Sequence, residues 1–84
     1  ELLNITGVEA SFVMVKIGNG VTISGRSLGQ INVQLILEEI GGGGHLTMAG
    51  ATINDRTLDE TQLILEESIN KYLREGEEKW KLFY

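Results

Sequence analysis

The stretch ASFVMVKI (10–17) is mostly apolar and rich in β-branched and aromatic residues, and in VTISGRS (21–27) apolar and polar positions alternate in a strand pattern. GNG separates them, so the pattern predicts a β-hairpin. Strand side chains alternate with period two, which puts Val21 and Ile23 on one face and Thr22, Ser24 and Arg26 on the other, polar one. From Asn32 the period lengthens. Val33, Ile36, Leu37 and Ile40 follow the i, i+3, i+4, i+7 rule of an amphipathic helix, with Asn32 as its N-cap and Gly41 as its stop.

MAGATI (48–53) resumes a strand, and its small residues Ala49, Gly50 and Ala51 let backbone or ligand approach closely. NDRT is a turn, and Thr57 with Glu60 forms the T-x-x-E capping box of a second helix. Leu65, Ile69, Tyr72 and Leu73 stripe that helix to about Arg74, with Gly76 as its stop and Glu67 and Lys71 spaced for an i, i+4 ion pair. Residues 1–5 read as the end of a preceding helix. The tail EEKWKLFY (77–84) carries Trp80, Leu82, Phe83 and Tyr84 without the length to bury them, which leaves docking on the domain, on a neighbour or on a second copy in a homodimer open.

The order strand, strand, helix, strand, helix predicts an α/β fold: a small mixed β-sheet with helices packed on it. A helix between the second and third strands permits their parallel pairing through a right-handed crossover. At 84 residues with 42% hydrophobic content the chain makes one domain with one core.

Charge narrows the partners. The net charge is −5, and Lys71, Arg74, Lys79 and Lys81 crowd four of the seven basic residues into the last fourteen positions. A long nucleic acid, whose binding rests on many Lys and Arg contacts to phosphate, is therefore excluded, whereas a small phosphate ligand held by one or two local cations is not. The chain has no cysteine, hence no disulfide framework and no thiolate zinc site. No second histidine or close carboxylate cluster accompanies His45, so a metal site within the chain is not expected, and Ser24 and Ser27 have no adjacent acid–base pair for nucleophilic catalysis.

The run GGGGH (41–45) is the most unusual stretch. Gly41 is explained by helix termination; Gly42, Gly43 and Gly44 are not. Successive side-chain-free N–H groups can fold into a concave nest for an anion, and His45 can donate to a phosphate, act as acid or base, or cap a strand. The run follows a helix and lacks the GxxxxGK[ST] spacing, so it is not a Walker loop. Immediate bounding by helix and strand patterns favours a tight turn over a linker.

Together, SGRS (24–27), INV (31–33), GGGGH (41–45) and AG (49–50) resemble the DHH-associated domain that follows the Asp-His-His catalytic domain of bacterial DHH-family phosphoesterases. The resemblance covers roughly residues 8–75, and RSLGQINVQLILEEIGGGGHLT is most similar to the membrane-anchored cyclic-di-AMP phosphodiesterase branch. It implies a substrate-binding domain for cyclic-di-AMP or a related adenine dinucleotide, with Ser24, Arg26, Ser27, Asn32, Gly42, Gly43, Gly44 and His45 contacting the nucleotide and its phosphates. It further implies an upstream catalytic domain that carries two Mn2+ ions and the chemistry, a cytoplasmic location, a membrane-anchored parent, and an isolated chain that is inactive. The alternatives are a nanoRNase or phosphoadenosine-phosphate phosphatase domain and, in another class, a non-catalytic nucleotide-binding or oligomerisation module. Met48 departs from the branch patterns, which have a small or a polar residue there.

Overall fold

The computed structural model describes residues 2–5, 10–28 and 30–82, with side chains for 10–28 and 30–75. The chain runs β1 (Leu2–Ile5), β2 (Ala10–Ile17), β3 (Gly20–Ser27), α1 (Val33–Glu38), β4 (Gly43–Gly44), β5 (Met48–Asn54) and α2 (Leu58–Leu82). The hairpin of β2 and β3 forms as the alternation requires. Ile17 pairs with Gly20 across a Gly18-Asn19 turn, and Gly18 takes the left-handed φ of +58° that such turns need.

The strands form one sheet in the order β1-β2-β3-β5-β4, and every adjacent pair is antiparallel. The α/β architecture is the expected one, but the parallel pairing of β3 with β5 is not found. The reason lies in the glycine run. After α1 the chain returns along β4 in the same direction as β3, so the crossover does lead to a parallel-running strand, and β5 then folds back between the two. Residues 2–5 are also corrected: they are a strand paired with β2 (Leu2 opposite Val13, Ile5 opposite Ala10), not a helix end.

Both helices lie on one side of the sheet. Phe12, Met14, Val21, Ile23, Ala49 and Ala51 from the strands meet Val33, Ile36 and Leu37 of α1 and Leu65 and Ile69 of α2 in a single buried cluster. Ser68 donates to the Ile36 carbonyl at 2.7 Å inside that cluster, and the Tyr72 hydroxyl accepts the Asn32 N–H at 2.9 Å, so α2 holds α1 at both ends. Lys71 reaches across to Glu39 at 2.5 Å instead of along its own helix to Glu67. The end of α1 stands beside it, and an interhelical carboxylate serves the ammonium as well as an intrahelical one.

The capping box is complete: Glu60 accepts the Thr57 N–H at 2.9 Å and Thr57 Oγ1 accepts the Glu60 N–H at 3.1 Å. These bonds hold the Glu60 carboxyl below its ordinary pKa. α2 continues past Gly76 to Leu82. A lone helical glycine costs only about 1 kcal/mol, and the flanking Glu, Lys and Leu residues are good helix formers. The predicted tail is therefore helical through Leu82, while the docking of its aromatic residues lies outside the described side chains. Among the described residues no helix is long and apolar enough to cross a membrane.

Candidate functional site

Three of the four glycines in the run are demanded by the fold. Gly41 takes a φ of +93°, with its N–H on the Glu38 carbonyl (3.1 Å) and the Gly42 N–H on the Leu37 carbonyl (2.7 Å), the paired bonds of a left-handed helix stop. A Cβ on Gly42 would collide with the Gly50 carbonyl oxygen and the Ala51 methyl. Gly44 has a φ of +146°, and a Cβ there would stand 2.6 Å from both Ala49 Cα and the Met48 oxygen. Around Gly43, by contrast, a Cβ would meet nothing within 4 Å. Its bareness is not a packing requirement.

The nest of four consecutive free N–H groups does not form, because Gly41, Gly42 and His45 commit theirs internally. His45 donates to the Met48 carbonyl at 2.7 Å and Met48 returns the bond at 3.3 Å, closing a two-residue loop at Leu46-Thr47. Antiparallel pairs alternate between exchanging bonds and not, so the next pair, Gly44 with Ala49, leaves the Gly44 N–H and C=O directed along the outer edge of β4. The loop is fastened from two sides: Ser27 N–H donates to Thr47 O at 2.9 Å, and Val33 N–H to Leu46 O at 3.1 Å.

Register then assembles the site. Ser11, Arg26 and Met48 stand opposite one another on β2, β3 and β5, and His45 is opposite Met48. The adjacent row on the same face is Leu2, Val13, Ser24, Gly50 and Gly43. These rows lie on the side of the sheet away from the helices, where Arg26, Ser24, Met48 and Val13 are all exposed. With strands about 4.8 Å apart, the Arg26 and His45 backbones are roughly 10 Å from each other with Met48 midway. Neither the Arg26 guanidinium nor the His45 ring has a hydrogen-bond partner among the described residues.

The structure therefore brings Ser24, Arg26, Gly43 and His45 together on one open face. Gly42 and Gly44 point to the helix side, against Ala51 and Ala49. Ser27 is half-buried in the row of buried Ala10. Asn32 lies at the start of α1, its side-chain oxygen capping Leu35 N–H at 3.1 Å. Met48 and Gly50 belong to the face although the sequence assigned neither to it. The alternation of MAGATI, with Met48, Gly50 and Thr52 on one parity and Ala49, Ala51 and Ile53 on the other, carried that signal. Among the described residues no three His, Cys, Asp or Glu side chains gather to hold a metal ion.

Comparison with known proteins adds to this geometry. The family model described as DHHA1 domain matches residues 1–75. Over 76 residues, 89% of this chain and 12% of the relative, the sequence is 53% identical to the cyclic-di-AMP phosphodiesterase GdpP of Geobacillus thermodenitrificans. It is 46% identical over 72 residues, 84% of this chain and 11% of the relative, to the cyclic-di-AMP phosphodiesterase PdeA of Listeria monocytogenes. The bifunctional oligoribonuclease and PAP phosphatase NrnA of Thermus thermophilus is 39% identical over 69 residues, 79% of this chain and 21% of that protein. The chain thus spans between about a tenth and a fifth of these relatives.

Proposed function

This chain belongs to the DHHA1 domain family, and from that premise we propose that it is the substrate-holding domain of a longer phosphodiesterase acting on cyclic-di-AMP or a related adenine dinucleotide. The observation that carries the reading is the convergence of Arg26, Ser24, Gly43 and His45 on one helix-free sheet face. The high identity to two phosphodiesterases named for that substrate supports it. A guanidinium without a partner among the described residues can take two phosphate oxygens in parallel hydrogen bonds, and the His45 ring can donate a further one. The Ser24 hydroxyl can serve as donor or acceptor to sugar or base. Bare Gly43 lets the ligand sit against the backbone.

In this reading the domain contributes position and charge neutralisation, and hydrolysis belongs to an upstream DHH catalytic domain holding two Mn2+ ions. The parent is proposed to be anchored in the membrane with this domain in the cytoplasm. A second reading, an oligoribonuclease or phosphoadenosine-phosphate phosphatase domain, is favoured by the similarity to NrnA.

The test uses the full-length protein. Arg26→Ala should lower kcat/KM for cyclic-di-AMP by about 10- to 100-fold, as expected for loss of a charge-assisted contact of about 1.5–3 kcal/mol. Undiminished hydrolysis by the variant would refute the assigned role. A substrate panel with short oligoribonucleotides and phosphoadenosine phosphate separates the two branches.

A further inference from the structure

We propose that Met48 is the specificity-determining residue of the open face, packing its thioether against the base of a purine nucleotide whose phosphate is held by Arg26. The inference rests on the reading of that face as the nucleotide site. Exposure of a single methionine would carry nothing, since lone apolar side chains on surfaces are ordinary. Its position is what matters. Met48 is half-exposed, at 53%, and it is the one apolar member of a row whose other residues are Asn4, Ser11, Arg26 and His45. A phosphate cannot profit from lying on it, so whatever spans this row meets Arg26 or His45 with its anion and Met48 with something apolar.

The adjacent row supplies space for that apolar part. Gly50, two residues on from Met48 and on the same face, has no side chain, and neither has Gly43 beside it. Packing does not impose either absence: a Cβ at Gly43 would be in open space, and one at Gly50 would come no closer than 3.4 Å to the Ile23 oxygen. The result is a shallow, bare floor of two strands' width, about 10 Å by the usual strand spacing, with Met48 at its lip and the Ser24 hydroxyl at its flank. A flat heterocycle lying on those peptide planes presents its edge to the Met48 sulfur, the favourable geometry for a thioether and an aromatic ring. Its polar ring edge comes within reach of Ser24. The sugar then leads the phosphate diagonally into the Arg26 row.

Binding of adenosine 5′-monophosphate and of ribose 5-phosphate, which has the phosphate but no base, to the full-length protein tests this by titration calorimetry. Met48→Ala should weaken the adenosine monophosphate about two- to tenfold, the range of a lost sulfur–aromatic contact, and leave ribose 5-phosphate unchanged. Met48→Leu should stay near the parent. Met48→Gln, which keeps the length and removes the apolar contact, should repeat the alanine result and covers the case in which the alanine variant does not fold. If Met48→Ala and Met48→Gln leave the ratio of the two affinities where it was, the proposal is wrong. Arg26→Ala should weaken both ligands together; if it weakens neither, the underlying reading of the face falls, whatever Met48 does.

Discussion

A methyl group tells Gly43 and Gly44 apart. On Gly44 it would be forced both into a φ reserved for glycine and against Ala49, so Gly44→Ala should cost about 1–3 kcal/mol of stability. On Gly43 it would enter open space, so Gly43→Ala should change stability by no more than about 0.5 kcal/mol while weakening nucleotide binding, because it raises the floor beside Gly50. Urea denaturation and ligand titration of both variants check the pair. Equal destabilisation would mean that Gly43 is as structural as its neighbour. The residue scale is also where sequence reading went furthest. Asn32 as a cap, Gly41 as a helix stop and Arg26 on a polar strand face were legible because each depends on the local backbone or on period two alone. Met48 was legible only in part: the alternation of MAGATI gives its parity, but which residues stand opposite it on two other strands is encoded in no local pattern.

Elements repeat the lesson at greater length. The capping box of α2 was legible from four residues, and Thr57→Ala should cost about 1 kcal/mol, measured by thermal unfolding. Its Glu60 half adds a pH dependence. The folded pKa is depressed, mainly by the Thr57 backbone N–H, so this contribution is present above the ordinary carboxylate range and is lost as pH falls through the lowered folded value. Unfolding curves between neutral and acid pH should therefore converge for the parent and Glu60→Gln; a constant gap down to the acid limit would rule out the assignment. Lys71 has the opposite sense. Its hydrogen bond to Glu39 raises its pKa, so on the alkaline side that contact is kept from neutral pH upward until pH rises through the elevated value. β1 and β4 were illegible for a common reason. LLNI has no alternation, and two glycines have no side chains with which to show one, so both become strands through pairing with a neighbour. The continuation of α2 beyond Gly76 was missed because a propensity penalty of about 1 kcal/mol is small against the gain from extending an already nucleated helix.

For the whole molecule, the division of labour is between two faces of one sheet. One face carries the helices and the core; the other carries the polar rows and the bare floor. Titrating the 84-residue chain with adenosine 5′-monophosphate should move amide signals at 11–13, 24–26, 43–45 and 48–52 and leave those of 58–72 in place. Shifts confined to the two helices would relocate the site. Weak binding is expected of the separated chain, since the proposed catalytic domain would add its own contacts to the substrate.

β5 has a position that couples these faces more tightly than either alone. It lies between β3 and β4 and supplies Met48 and Gly50 to one side and Ala49 and Ala51 to the other. A slip of one residue against β3 would turn both alanines outward, drive Met48 toward the helices and pull the site rows out of line in the same movement. Misassembly of the ligand face therefore cannot occur quietly within an otherwise sound domain. A chain that has packed its core has, by that fact, already aligned Arg26 with His45.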